Sequence, residues 1–239
     1  MGVGNLLKES LGLTRKHIII IAPPVIVSFI VGGLSIVVIG MRMTAMEPDV
    51  MGKLGEGMPD LIYVKSVLSI VGWVFYGFAQ GMVASMMVEL EDKGQTSIGF
   101  GFGRANEMII SLMVSGFIIG ALLLLGFTFM LFIIPGLIVA FIFIFTFVVI
   151  MFEKRGPIDA MKRSVQIVRS NLSDTFKLFA AIIGIGFFLM FFSVILSKLS
   201  LIGILSSMAL TGAYMGYTYV VFVKAYQKFK EEGRGFPRG

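Results

Sequence analysis

The chain has 239 residues, of which 57% are hydrophobic and 14% charged, and its mean hydropathy is +0.95. An ordinary soluble domain carries roughly 25% charged residues. Here the charges fall in blocks separated by long neutral runs, so lipid is the expected main solvent and an all-α integral membrane protein the expected class. The absence of cysteine excludes disulfides, thiol chemistry and cysteine metal sites. With one histidine, His17, no metal or other cofactor is expected. The net charge of +6 and pI near 9.6 are read as basic segments held beside anionic lipid, since nothing in the pattern resembles a nucleic-acid fold.

A crossing helix needs about 20 apolar residues. The first neutral run covers 18–41, between His17 and Arg42, and the second covers 66–88, between Lys65 and Glu89. The third, 108–152, is too long for one crossing. Ile134-Pro135-Gly136 predicts a tight hairpin that divides it into 108–134 and 135–152, because Pro removes a donor and Gly frees the backbone. Spans at 178–197 and 199–223 follow, joined by a short turn at Ser197–Ser200. The result is one six-helix domain over 1–230, with a flexible tail at 231–239. The loop from Arg42 to Asp60, with Pro48 and Pro59, is expected to be irregular. Pro23-Pro24 should kink the first span, as a static bend or a hinge; Pro135 and Gly136 are the other hinge candidates. The first run exceeds the 7–15 apolar residues of a cleavable signal peptide.

Sixteen of the 20 Lys and Arg fall on the side that carries the N-terminus, the 89–107 and 153–177 loops and the tail. The positive-inside rule makes that side cytoplasmic, with both termini there and the cell membrane as the location.

The sequence also repeats itself. Leu7-Lys8-Glu9-Ser10-Leu11-Gly12-Leu13-Thr14-Arg15-Lys16-His17 aligns with Met161-Lys162-Arg163-Ser164-Val165-Gln166-Ile167-Val168-Arg169-Ser170-Asn171 in its Lys, Ser, Arg and apolar positions. A fainter copy is Gly99–Asn106, whose Arg104-Ala105-Asn106 ending matches Arg169-Ser170-Asn171. It is rich in Gly, and a short helix or a loop would both suit it. The implied unit is an interfacial segment followed by a helical hairpin, used three times. In the segment from Pro157, the residues Ile158, Met161, Val165, Val168 and Leu172 form an apolar stripe expected to lie down in the headgroup layer. Lys162, Arg163, Gln166 and Arg169 make the opposite, polar side. Arg15, Lys16, Arg104, Lys162, Arg163 and Arg169 are the candidate headgroup contacts, with membrane lipids as the expected partner.

The stretch Glu153-Lys154-Arg155-Gly156-Pro157-Ile158-Asp159-Ala160-Met161-Lys162-Arg163-Ser164, after a span opened by Pro135-Gly136, resembles the signature of a broad prokaryotic multi-pass family. That family includes the membrane domain attached to some glycerophosphodiester phosphodiesterases and many stand-alone proteins of unknown function. Leu6-Leu7-Lys8-Glu9-Ser10 with Arg15-Lys16-His17 is similar to the start of its archaeal members. The resemblance implies a fold and not a reaction, because phosphodiesterase activity there belongs to a soluble barrel domain that this chain lacks.

The six neutral runs contain no carboxylate, so intramembrane proteolysis by paired Asp and carboxylate-based proton coupling have no residues to carry them. A Ser nucleophile at Ser66, Ser69, Ser111 or Ser115 has no histidine base beside it, and an enzyme would need an unseen carboxylate cluster such as Glu89, Glu91 and Asp92. Gly99–Arg104 fits neither the dinucleotide nor the Walker spacing; headgroup phosphate is the anion it could bind. Gly77-x-x-x-Gly81, Gly116-x-x-x-Gly120 and Gly212-x-x-x-Gly216 let helices approach closely, within one chain or between copies. Gln80, in the second span, needs a partner in hydrocarbon: an interhelical bond or a substrate. Trp73, Tyr63, Tyr217, Tyr219 and Tyr226 fit the interfacial aromatic belts. Two functions follow: a non-enzymatic scaffold or assembly module that binds other membrane proteins, or a protein that handles lipid or translocates a small solute. Polar groups converging on the bundle axis would favour the second, and an axis packed with Phe and Leu would not.

Overall fold

The computed structural model describes residues 2–45, 58–128, 133–198 and 201–233. Helix α1 is Val3–Lys16, followed by a 3-10 segment Ile18–Ile21 and then α2, Ala22–Ala45. Helix α3 is Met58–Lys93, α4 is Ile98–Glu107, α5 is Ile109–Thr128, α6 is Ile133–Ile142 and α7 is Thr146–Glu153. Helix α8 is Pro157–Ser170, α9 is Leu172–Ser197 and α10 is Leu201–Glu231. No strand occurs among the described residues. Among the described residues, five stretches are long and apolar enough to cross a membrane: Ile18–Met41, Tyr63–Lys93, Ile109–Gly126, Ile134–Glu153 and Leu172–Ser197.

Small residues set how these helices pair. Around Gly212 and Gly216, α10 lies against Pro24, Val25 and Ile21, and Gly32 faces Met208, so α2 and α10 run antiparallel in close contact. Ser28 Oγ donates to Met208 O across the same seam, at 2.7 Å. Helices α3 and α5 meet in the same way, with Gly81 against Leu112 and with Gly116 and Gly120 against Trp73. All three Gly-x-x-x-Gly motifs therefore pack within the chain, with Gly77 against Phe147 of α7. In each case the missing side chain lets backbone or a bulky neighbour occupy the space.

The seam between α6–α7 and α9 is different. The two meet through the rings of Phe141, Phe176 and Phe179, and most of α9 faces outward, including Phe187, Phe188 and Phe191. Gly184 of α9 has no neighbour against its Cα.

One end of the bundle gathers α1, α4 and α8 together with the last turns of α3, α7 and α10. Tyr217 Oη donates to Leu7 O, Lys224 and Gln227 reach Glu91, and Tyr226 reaches Glu153. Both ends of the described chain lie there.

Several expectations need correction. Pro135 and Gly136 are not the apex of a hairpin: they stand in the first turn of α6, where Pro is well tolerated. Gly136 touches Gly126 where the two arms cross. Residues 129–132, between the two arms, lie outside the described residues. Pro23 and Pro24 open α2 instead of kinking it, and the discontinuity comes one turn earlier. Without their two N–H groups the preceding turn winds as the 3-10 segment Ile18–Ile21, where Ile20 N donates to His17 O. The 42–60 segment is helical at both ends, since α2 runs to Ala45 and α3 starts at Met58; residues 46–57 are not described. Gly99–Asn106 is a helix, α4, capped by the Ser97 hydroxyl, which accepts from Phe100 N.

The apolar stripe expected on α8 is covered by protein only in part. Ala160, Met161, Ser164, Ile167 and Val168 are buried, whereas Ile158 and Leu172 are exposed. The reason for the covered part is a break in the fourth span. Between α6 and α7 the chain turns at Phe143–Phe145, leaving backbone groups that hydrocarbon cannot satisfy. Ser164 Oγ donates to Ile142 O at 2.9 Å and accepts from Phe145 N at 3.2 Å. One buried hydroxyl thus splints the break, and it holds α8 against the bundle. Ser164→Ala should lower unfolding stability in detergent by about 1–3 kcal/mol, because a buried donor and a buried acceptor both lose their partner. A midpoint equal to wild type would show that the break has other support.

Candidate functional site

Between the long helices lies a cavity of about 640 Å3. Every long helix contributes to its wall: Val31 and Ser35 from α2, Trp73 and Gln80 from α3, Ile119 from α5, Phe143 and Phe147 from α6–α7, Phe179 from α9, and Tyr214 and Tyr219 from α10. The lining is mostly apolar and aromatic, and its size is typical of a small-molecule site.

Helix α3 gives the cavity its depth. It lines the space from Lys65 to Gln80, about 22 Å along the axis. Lys65, Ser35 and Ile39 mark the end remote from the termini. Gln80, Thr218, Tyr219 and Phe222 mark the deep end, beyond which Phe145, Val148 and Val149 are fully buried. Trp73, the single Trp of the chain, stands two turns above Gln80 on nearly the same face, with its Cβ over Gly120.

Gln80 is the amide at the deep end. It is 5% exposed, and its Nε2 is buried with no hydrogen-bond partner. The expected interhelical bond from that amide is therefore not made, and the side chain lines the cavity instead. A buried unpaired donor costs about 1–3 kcal/mol, so its position calls for an acceptor supplied within the cavity. Lys65, at the opposite end, is the one charged residue in the described lining.

The tyrosines also depart from the aromatic-belt expectation. Tyr219 and Tyr226 are buried, and Tyr217 is tied to Leu7 O. The signal that could have marked them was that they share α10 with Thr211 and Thr218, in the least apolar of the long helices.

Among the candidate headgroup residues, Arg15, Lys16, Lys162 and Arg169 are exposed at the end bearing the termini, and Arg104 is half-buried over the Phe100 ring. Arg163 is not a headgroup contact. Its side chain is 8% exposed, and its Nε donates to Glu153 Oε1 at 3.1 Å. Glu153 also accepts from Tyr226 Oη at 3.0 Å and Arg155 Nε at 2.6 Å. This knot fastens α7, α8 and α10 together, and Lys154, at φ 50, makes the turn between the first two. Two of the three carboxylates considered for an enzyme, Glu89 and Glu91, are engaged structurally. Glu89 accepts from Lys93, Thr96 and Ser97 N, and Glu91 from Lys224 and Gln227. No group of three or more His, Cys, Asp or Glu among the described residues could hold a metal ion.

Comparison with known proteins finds no curated protein and no solved structure that matches this chain. One family model matches residues 95–227, from the start of α4 almost to the end of α10, which is more than half of the sequence. The chain belongs to the family described as Domain of unknown function (DUF7847).

Proposed function

We propose that this is a lipid-handling membrane protein that draws the apolar part of an amphiphile out of the bilayer into its central cavity. The observation that carries this reading is the cavity itself: about 640 Å3, lined from every long helix, in an interior that would otherwise close-pack with few voids larger than a water. A bundle acting only as a scaffold has no use for such a space. Closure at the Gln80 end suits a binding site or carrier better than an open pore.

The proposed setting is six spans with both termini in the cytoplasm. Helix α10 is the sixth span: it has 31 residues and runs antiparallel to α2. Its Ser, Thr and Tyr residues dilute its apolarity, which is acceptable for a helix enclosed by protein. The basic residues gathered around α1, α4 and α8 support a cytoplasmic position for that end in the cell membrane.

Three repeated units account for the cavity and its access. Aligned on their C-caps His17, Met108 and Asn171, the short helices bury equivalent positions: Ser10 and Thr14, Gly101 and Ala105, Ser164 and Val168. This register shifts the middle copy by two residues from the sequence alignment. Each short helix packs on the second arm of the preceding hairpin, taken cyclically: α1 on α10, α4 on α3, α8 on α6–α7. Two of the three hairpin seams are sealed by glycines. The third, α6–α7 against α9, rests on three rings, and lipid enters there.

Likeness of fold to the phosphodiesterase-associated membrane domain is proposed on the Glu153–Ser164 segment, whose Glu153, Arg155, Arg163 and Ser164 tie α7 to α8.

Native mass spectrometry of protein extracted in mild detergent tests the reading. Wild type should carry one bound amphiphile per chain. Ala140→Trp, which puts bulk into the cavity wall, should lose it while keeping its helical circular dichroism. Repeated recovery of bare wild-type protein would sink the proposal.

A further inference from the structure

We propose that the cavity selects a neutral lipid and takes it polar end first, its carbonyl or hydroxyl oxygen accepting from Gln80 Nε2 and its chain running past Trp73 toward Lys65. This rests on the reading of the cavity as a lipid site and adds the chemistry of the headgroup.

Three observations carry it. The unpaired donor is deep: Gln80 is 95% buried, and Nε2 finds nothing in the protein to bond. The complement of an amide donor is an oxygen acceptor, and a site built around a buried donor discriminates strongly against an analogue that lacks the acceptor. Next, no charge stands near it. Within the described lining the lone cation is Lys65, about 22 Å away along α3. A phosphate or carboxylate at Gln80 would be a buried, uncompensated ion, so the headgroup must be neutral. Finally, the walls fit a ring or an unsaturated head followed by one chain: Trp73, Tyr76, Phe147, Tyr219 and Phe222 line the lower half. A volume of about 640 Å3 suits a single drug-sized body.

Trp73 reports occupancy without a label. It lies seven residues, or about 10 Å, above Gln80 on α3, so bromines at mid-chain of a lipid headed by Gln80 would sit beside the indole and quench it. Three brominated probes of equal chain length separate the possibilities: methyl dibromostearate, the dibromostearate anion at alkaline pH, and a dibrominated octadecane with no headgroup. Each is titrated into wild type and Gln80→Leu in detergent micelles.

The methyl ester should quench Trp73 saturably, and its half-quenching concentration should rise at least tenfold in Gln80→Leu. The octadecane should bind more weakly and be indifferent to the substitution, and the anion should bind more weakly than the ester. Equal titration by ester and octadecane, or tighter binding of the anion, would overturn the headgroup assignment alone. Absence of saturable quenching by every probe would overturn the lipid-site reading with it. Because Gln80→Leu removes an unpaired polar group, the variant should fold at least as stably as wild type, so loss of ester binding cannot be assigned to unfolding.

Discussion

Gly212→Ala should lower the unfolding stability of the protein in detergent by about 3 kcal/mol, the upper end of the usual cost of overpacking. A Cβ there would stand 2.5 Å from Val25 Cα and 2.9 Å from Pro24 O. Both atoms belong to backbone, so no rotamer change can make room, and the two helices must separate. Separation would also strain the Ser28–Met208 bond and the placing of Ile21 against Gly216. Gly116→Ala is equivalent at the other sealed seam, with a Cβ 2.9 Å from Trp73 O and Val74 Cα. The control is Gly184→Ala in α9, where nothing lies within 4 Å; replacing that helix glycine should be neutral or stabilising by about 0.5–1 kcal/mol. Thermal or denaturant midpoints of the three variants check the claim. If Gly212→Ala and Gly184→Ala unfold together, close helix approach is not what holds the α2–α10 seam.

These contrasts bear on where lipid would enter the cavity under the proposed function. The glycine seams close two sides of the bundle by backbone contact. At the third side Gly184 meets nothing, Gly186 faces Tyr214 of its own hairpin, and contact with α6 is left to Phe141. Aromatic rings can part more readily than interlocked backbones, which is why the proposed entrance lies there.

How much of this could be read from the sequence follows from where each cause is located. Hydropathy found the first five spans because lipid exposure is a local property of composition. It misjudged Pro135 because proline and glycine suit both a turn and a helix start. It could not find the break at Phe143–Phe145, whose own residues are apolar and unremarkable. That break persists because Ser164, some twenty residues later, satisfies it. The same hydroxyl holds α8 against the bundle, which the apolar stripe alone could not indicate: periodicity reveals an apolar face, but not how much of it protein covers. Gln80 stood out in the sequence as a polar group in hydrocarbon. That it faces a cavity depends on six helices at once, and no local signal carries such information.

Glu153→Ala should be at least as damaging as Gly212→Ala, at about 3–5 kcal/mol, the range for removing one partner of a buried ion pair. The Arg163 side chain is 8% exposed and Glu153 17%, so the guanidinium left behind is largely shut off from water. The carboxylate also accepts from Tyr226 and Arg155, so its loss strips a partner from two other helices and from the turn between α7 and α8. Graded variants separate charge from hydrogen bonding. Glu153→Gln keeps an acceptor and loses the charge, and should fall between wild type and Ala. Tyr226→Phe removes one hydroxyl and should cost about 1 kcal/mol. The double variant Glu153→Ala with Arg163→Met should recover much of the loss, since replacing a buried pair by apolar groups is often near neutral. Unfolding midpoints of these four variants and of the single Arg163→Met in one detergent decide the matter. If the double variant is as unstable as the two single losses combined, Glu153 acts through Arg155 and Tyr226 and the buried pair is incidental.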